Sequence, residues 1–189
     1  MKERLLMKKI AIDVDGVLAF DTPLKWGLEI FKNFENRKSE FKRYEDFQNA
    51  ITKNKGLKVN KKQAYDFWKS PTLYDNISEL NFAIRNLINQ LRGEYPNASW
   101  MVLSDCFKEH IDSKVNFCSR VLPFDEFEFY DTKNKYEYKA DIYIDDKPEN
   151  LIQCKKKYGN ECETILIKHF YNDILVDEYQ YFDKIIYIF

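Results

Sequence analysis

The stretch Lys9 to Ala19, reading KIAIDVDGVLA, constrains this chain most. Ile10-Ala11-Ile12 is an apolar run long enough for a short buried strand, and it stops at Asp13, with Val14, Asp15 and Gly16 following. Two carboxylates, Asp13 and Asp15, are therefore expected at the C-terminal end of a strand. In an open parallel α/β sheet that end faces the crevice where ligands bind, so charge placed there is charge placed in a functional site. Gly16 lets the chain leave through a backbone conformation that other residues resist.

Asp-x-Asp-Gly-Val-Leu behind a strand resembles the first motif of the haloacid dehalogenase (HAD) superfamily, most of whose members are Mg-dependent phosphatases. The resemblance implies a three-layer, Rossmann-like α/β core with a parallel sheet, Asp13 as nucleophile and Asp15 as general acid and base. The chemistry suits those residue types. A carboxylate attacking phosphorus gives an aspartyl-phosphate and splits one hard displacement into two easier ones. Mg²⁺, held by carboxylates and substrate oxygens, removes the charge repulsion that opposes the attack. The second aspartate can protonate the leaving oxygen and then take a proton from water. In the superfamily's ion-pumping ATPases a Thr stands at that position and the dehalogenases lack the acid, so Asp15 favours phosphate-ester hydrolysis.

At 189 residues the chain suits one α/β core with a modest insertion. Its 30 basic and 31 acidic residues leave a net charge of -1, which gives no electrostatic case for a polyanion or an anionic membrane as partner. Cys106, Cys118, Cys154 and Cys162 form no C-x-x-C pair, as expected of reduced thiols in a cytoplasmic protein. Met1 to Lys9 carries basic residues but no sustained apolar run, and nothing later has the length to span a bilayer.

Asp21-Thr22-Pro23 reads as a helix start, with Trp26, Ile30, Phe31 and Phe34 on one apolar face. From about residue 24 to 74 the spacing of Tyr44-Phe47-Ile51 and Ala64-Phe67-Trp68 is helical, and no strand is convincing. The reading is a small helical cap at 21–74, inserted after the first strand, with the core formed by 1–20 and 75–189. HAD proteins carry a cap at that point, and a lid excludes water and selects substrates.

The core resumes with a helix capped by Ser78 and Glu79, running to about Arg92 and closed by Gly93 and Pro96. Trp100 to Leu103 is a second strand, ending at Ser104 and Asp105. Ser after a strand is ordinarily turn chemistry, but in this series it resembles the superfamily's second motif, whose hydroxyl binds a phosphoryl oxygen. Phe127 to Tyr130 is a third strand. Ile142 to Ile144 is a fourth, ending at Asp145-Asp146, with Pro148 opening a helix to about Tyr158. Parallel neighbours would bring Asp13 and Asp145 together as ligands of one Mg²⁺. A lysine in the same crevice would screen the negative charge, and Lys133, Lys135 and Lys139 compete for that place. Thr164 to Ile167 is a fifth strand and Ile185 to Ile188 an edge segment. His110 and His169 have no partner at ligand spacing, and neither is assigned to metal.

DTKNKYEYKADIYIDDKP, Asp131 to Pro148, resembles the third and fourth motifs of the 5'(3')-deoxyribonucleotidases. That resemblance places the family's catalytic Lys on Lys135, its metal ligand on Asp145 and the supporting carboxylate on Asp146. It also makes the backbone carbonyl of Asp15 a metal ligand. LIKHFYN, Leu166 to Asn172, resembles the family's strand with its following His-Asn. Where the family has Thr-Ser-Pro-x-Lys, this chain has Ser104-Asp105-Cys106-Phe107-Lys108, keeping the hydroxyl and the Lys but adding a carboxylate beside the substrate. Phe67, Trp68 and Tyr74, just before the chain returns to the core, are expected to stack a base and line a sugar. Asp105 and Lys108 complete the expected substrate contacts.

The leading expectation is thus a Mg²⁺-dependent nucleoside monophosphate phosphatase acting through an aspartyl-phosphate. The same catalyst for another small ester, such as a sugar phosphate, is the alternative, and a HAD domain without turnover is disfavoured by Asp13, Asp15, Lys135 and Asp145 together. The expected partner is a small phosphate ester, not nucleic acid or membrane, with a homodimer left open.

Overall fold

The computed structural model describes residues 7–124 and 126–188; residues 1–6 of the expected core segment, with Asp125 and Phe189, lie outside the described residues. β1 (Lys9–Ile12) is followed by α1 (Thr22–Ile30), α2 (Phe34–Arg37), α3 (Tyr44–Thr52) and α4 (Lys61–Asp66). After these come α5 (Phe82–Glu94), β2 (Ser99–Ser104), α6 (Ile111–Val121), β3 (Glu128–Asp131) and β4 (Ile142–Asp145). α7 (Pro148–Tyr158), β5 (Glu163–Lys168) and β6 (Lys184–Tyr187) complete the order.

The six strands form one sheet in the order β3-β2-β1-β4-β5-β6, with every pairing parallel. This is the expected Rossmann-like α/β sheet, and β6 lies at its edge as the apolar end of the chain implied. Because β1 pairs with β2 on one side and β4 on the other, its C-terminal end is the switch point at which such sheets open a ligand crevice.

Alternation along the strands sorts the layers. Ile10 and Ile12 join Val102, Ile144 and Ile167 in a buried cluster with Ile84, Leu87 and Ile88 of α5 and Phe117 of α6. Ala11 joins Met101, Leu103, Tyr143 and Leu166 against Leu151 and Cys154 of α7 on the other face. A sheet covered on both faces has no solvated side, which is why its strands read as unbroken apolar runs.

α5 begins later than its sequence implied. Asn81, not Ser78, is the cap, its Oδ1 accepting the Ala83 N–H at 2.9 Å, and Gly93 lies inside the helix, which ends at Glu94. Leu80, just before the cap, is drawn into the core at 8% exposure, so burial of that side chain delays the first turn.

Among the described residues, Thr22 to Lys69 consists of helices joined by turns and loops, with no strand and one isolated bridge between Phe31 and Leu57. Trp26, Ile30, Phe31, Phe34, Phe41 and Phe47 are buried together in a cluster of their own. The expected apolar face is present, but α1 ends at Ile30 and Phe34 opens α2. Gly27 permits this break, since a Cβ there would run into the Phe34 ring. Trp26 Nε1 donates to the Ala64 carbonyl at 2.7 Å, tying α1 to α4. The cluster also takes in Tyr171 from the loop after β5, with Phe170 packed against it.

Candidate active site

Register delivers the acidic residues to one edge. Ile12 lies opposite Ile144 in the β1–β4 ladder, and the Asp13 N–H donates to the Ile144 carbonyl at 3.0 Å, so Asp13 and Asp145 leave their strands side by side. Carboxylate oxygens of Asp13, Asp145 and Asp146 all lie within 4.8 Å of one another, and all three residues are buried. Gly16 has φ +76, and a Cβ there would collide with Asp146 Oδ2 and the Tyr171 hydroxyl. Only glycine lets the loop after β1 pass so close to the second acidic strand end.

Lys135 Nζ reaches this cluster from the turn after β3, 2.6 Å from Asp13 Oδ2 and 2.7 Å from Asp145 Oδ2. Lys139 instead pairs with Glu161 at 2.7 Å, and Lys133 lies 3.9 Å from Asp105, so of the three competing lysines Lys135 is the one beside Asp13. Burial works against the Lys135 charge, but Asp13 and Asp145 outweigh it and hold its pKa above the usual lysine range. One ammonium does not balance the carboxylates. Burial, offset in part by Lys135, raises Asp13, and burial with Asp145 and Asp13 beside it pushes Asp146 well above the carboxylate range.

The oxygens of the acidic pair are unequally occupied. Asp145 Oδ1 accepts the Lys147 N–H at 2.8 Å, and its Oδ2 accepts from Lys135 and from Asn150 Nδ2 at 3.0 Å. Asp146 Oδ2 accepts the Tyr171 hydroxyl at 2.7 Å, whereas Asp146 Oδ1 is buried with no hydrogen-bond partner among the described residues. A buried carboxylate oxygen aimed into a cluster of like charge fits a hard divalent cation. The donor set of Asp13, Asp145 and Asp146 thus suits Mg²⁺, and Asp146 Oδ1 is the oxygen of the adjacent pair left without a hydrogen bond among the described residues. Sequence resemblance implies Asp145 as the ligand and Asp146 as its support.

Asp15 stands apart from this cluster. Its Oδ1 accepts the Tyr74 hydroxyl at 2.7 Å and its Oδ2 the Lys114 ammonium at 2.8 Å. Burial would raise its pKa, but Lys114 first and then Tyr74 outweigh that and hold it below the carboxylate range. Lys114 Nζ also lies 3.0 Å from Ser104 Oγ and 3.1 Å from the Asp105 carbonyl, and Lys114 is fully buried. Sequence reasoning missed Lys114. Its signal was a lysine on the face of α6 that also carries Phe117 and Cys118, both wholly buried. Tyr171, Asn172 and Lys147 were missed as well. Asn172 Nδ2 bonds the Asp146 and Ile167 carbonyls, and Lys147 Nζ lies 5.0 Å from the centre of the Tyr44 ring.

Above these groups is a cavity of about 540 Å³, with Asp13, Asp15, Ser104, Lys135 and Asp146 in its lower wall and Tyr44, Gln48, Tyr65 and Trp68 of the helical segment in its upper one. Of the three aromatics expected to hold a nucleoside, Trp68 lines the cavity. Phe67 packs edge-on to Trp68 at 5.2 Å, against the aromatic cluster, and Tyr74 is fully buried in the core with its hydroxyl on Asp15. Asp105 lines the mouth and is exposed. Lys108 is exposed on the short helix before α6 and does not line the cavity. The position expected for the motif lysine is therefore on the surface, and the buried Lys114 bonds Asp15 and Ser104 without itself lining the cavity.

Among the described residues the four cysteines are free, and no helix is long and apolar enough to cross a membrane. Among solved structures, the chain is similar to a haloacid dehalogenase-like hydrolase from Burkholderia xenovorans LB400 at 16% identity, covering 95% of this chain and 94% of that one with a TM-score of 0.44. It is similar to a β-phosphoglucomutase from Thermotoga maritima at 12% identity, covering 96% and 94%, with a TM-score of 0.49. A third is a HAD family enzyme from Bacteroides thetaiotaomicron, an aspartate-to-alanine mutant in complex with magnesium and inorganic phosphate, at 17% identity, covering 86% and 94%, with a TM-score of 0.40. A search of curated proteins finds no match. The family model that matches, over residues 7–185, is described as 5' nucleotidase, deoxy (pyrimidine), cytosolic type C protein (NT5C), so the chain belongs to this family of HAD-like phosphatases.

Proposed function

We propose that this protein is a Mg²⁺-dependent phosphomonoester hydrolase that forms an aspartyl-phosphate on Asp13 and acts on nucleoside monophosphates, deoxyribonucleotides preferred. The observation that carries the reading is Asp13 beside Lys135, and the unpartnered Oδ1 of Asp146, in the wall of a cavity whose other wall is Tyr44, Tyr65 and Trp68. A cavity of about 540 Å³ is of the size that encloses one small organic ligand.

In the proposed reaction an oxygen of Asp13 attacks phosphorus, the P–O bond to the sugar breaks, and the leaving oxygen takes a proton from Asp15. Water then attacks the aspartyl-phosphate, Asp15 takes its proton, and inorganic phosphate leaves with Asp13 restored. Mg²⁺, held by Asp13, Asp146 and the carbonyl of Asp15 with Asp145 in support, would neutralise phosphoryl charge when bound. Ser104 Oγ, in the cavity wall, would meet a phosphoryl oxygen, with Lys114 bonded to it from the buried side. Lys114 has a second consequence. While its ammonium pairs with Asp15, that residue is the base form, and transfer of the ammonium to an incoming phosphoryl oxygen frees Asp15 to take up the proton it must deliver.

The helical segment 21–74 is proposed as the cap, and the cytoplasm as the site of action. The test is a panel of dUMP, UMP and a sugar phosphate assayed with and without Mg²⁺. Hydrolysis of dUMP over UMP by about 10²-fold at most is expected, because aromatic walls such as Tyr44, Tyr65 and Trp68 reject an added hydroxyl only weakly. Equal kcat/KM on all three would leave a general phosphatase.

A further inference from the structure

Tyr74 is the residue that returns the chain from the helical segment to the core, and its hydroxyl ends on Asp15. The ring is wholly buried, edge-on to His110 at 5.4 Å and stacked on Phe117 at 6.0 Å. Its backbone is held from α6 at both ends: the N–H donates to Ser113 Oγ at 3.2 Å, and the carbonyl accepts from Arg120 Nη2 at 3.0 Å. Arg120 also reaches the Asp75 carbonyl at 3.2 Å, and Ser113 Oγ donates to Asp75 Oδ1 at 2.6 Å. With ring and backbone both fixed, the place of the hydroxyl is set by packing rather than by the group it meets.

That hydroxyl lies 2.7 Å from Asp15 Oδ1, while Lys114 lies 2.8 Å from Oδ2. The two donors differ in what they can give up. In the mechanism proposed above Lys114, which also contacts Ser104 Oγ, exchanges Asp15 for a phosphoryl oxygen, whereas the Tyr74 hydroxyl has Asp15 as its acceptor and is sealed in the core. A phenol can donate to a carboxyl group in either of its charge states, so this contact persists through a catalytic cycle. We propose that Tyr74 is the positioning residue for Asp15, holding Oδ1 so that Oδ2 is the oxygen turned to the leaving group. The inference rests on the reading of Asp15 as proton donor given above.

Proton transfer to a leaving oxygen matters for a poor leaving group, such as a sugar alkoxide, and little for a good one, such as p-nitrophenolate. Wild type, Asp15→Asn and Tyr74→Phe are therefore compared on a deoxyribonucleoside monophosphate and on p-nitrophenyl phosphate, with Mg²⁺ present throughout. Tyr74→Phe is expected to lower kcat/KM for the nucleotide by about 10- to 100-fold, the effect of loosening an aligned group, and to leave p-nitrophenyl phosphate nearly unchanged. Tyr143→Phe, which removes a buried hydroxyl bonded to the Tyr138 carbonyl, should move neither substrate. If the Phe variant does not fold, Tyr74→Met, smaller but able to adapt to a core site and without a donor, is read the same way. Equal losses on both substrates, or no loss, would overturn the assignment of Tyr74 while Asp15→Asn still discriminates between them. If Asp15→Asn itself fails to discriminate, the reading of Asp15 falls and takes Tyr74 with it.

Discussion

Lys135 Nζ lies 2.6 Å from Asp13 Oδ2, an ion pair buried at the C-terminal edge of the sheet between two strand ends that meet only in the folded chain. Removing one partner of such a pair leaves an uncompensated buried charge. Lys135→Met is expected to destabilise the metal-free protein by about 3–5 kcal/mol in urea denaturation and to reduce turnover below detection. A variant with unchanged stability would show that water, not protein, surrounds this lysine.

Asp13→Asn should keep the acceptor for the Val14 N–H, 2.7 Å from Oδ1, and so keep the fold. Turnover should vanish, and no radiolabelled phosphate should be trapped on the denatured protein after mixing with labelled substrate. Wild-type activity in this variant would exclude Asp13 as nucleophile.

The unequal partners of the acidic pair set an order of metal affinities. Asp146→Asn removes charge at the free oxygen, whereas Asp145→Asn alters a group whose oxygens are already bonded by Lys147, Lys135 and Asn150. Titration calorimetry with Mg²⁺, without substrate, should show the larger loss for Asp146→Asn. For Asp145→Asn, a loss of about 10- to 100-fold is expected, the usual effect of a group that orients a ligand. The reverse order would restore Asp145 as the ligand.

His169 gives a pH signature. Burial above all lowers its pKa from 6.5 to about 4, and the ring stacks on Tyr171 at 4.9 Å. The unfolded chain takes up a proton that the folded chain refuses, so the stability it contributes is present above pH 6.5 and is lost as pH falls toward 4. The full effect is roughly 3 kcal/mol. Asp13 and Asp146, raised in the fold, act oppositely, and the readout is therefore wild type minus His169→Gln, by urea midpoint across that range. A pH-independent difference would place His169 in contact with solvent.

Trp68 and Phe67 are adjacent and both pack against the aromatic cluster, but of the two Trp68 alone also lines the cavity. Trp68→Ala should raise KM for a nucleoside monophosphate by about tenfold, the worth of one aromatic stack, with p-nitrophenyl phosphate little affected. Phe67→Ala should lower the melting temperature and leave KM near wild type. Equal KM effects would put both rings against the base.

What could be read from the sequence is what depends on near neighbours along the chain. Ile10-Ala11-Ile12 and Ile142-Tyr143-Ile144 are strands because unbroken apolar runs of that length bury both faces, and the aspartates that end them mark the ligand edge of a parallel sheet whatever the remaining residues do. The choice of Lys135 over Lys133 and Lys139 came from a motif and agrees with the ion pair. Three other assignments depended on groups far apart in the chain. Lys114 is buried beside Asp15 because α6 packs with that face inward, and a helical period alone does not tell a buried lysine from a solvated one. Tyr74 reads as a pocket aromatic until packing of His110 and Phe117 seals its ring and leaves its hydroxyl on Asp15. Asp145 and Asp146 are equivalent in the sequence, and what separates them is which oxygens Lys135, Asn150 and Tyr171 occupy once register and loop packing have brought those residues in. Strand identity is local because the hydrophobic pattern is local; the role of each charge is tertiary because the burial and hydrogen bonding that set it come from other segments.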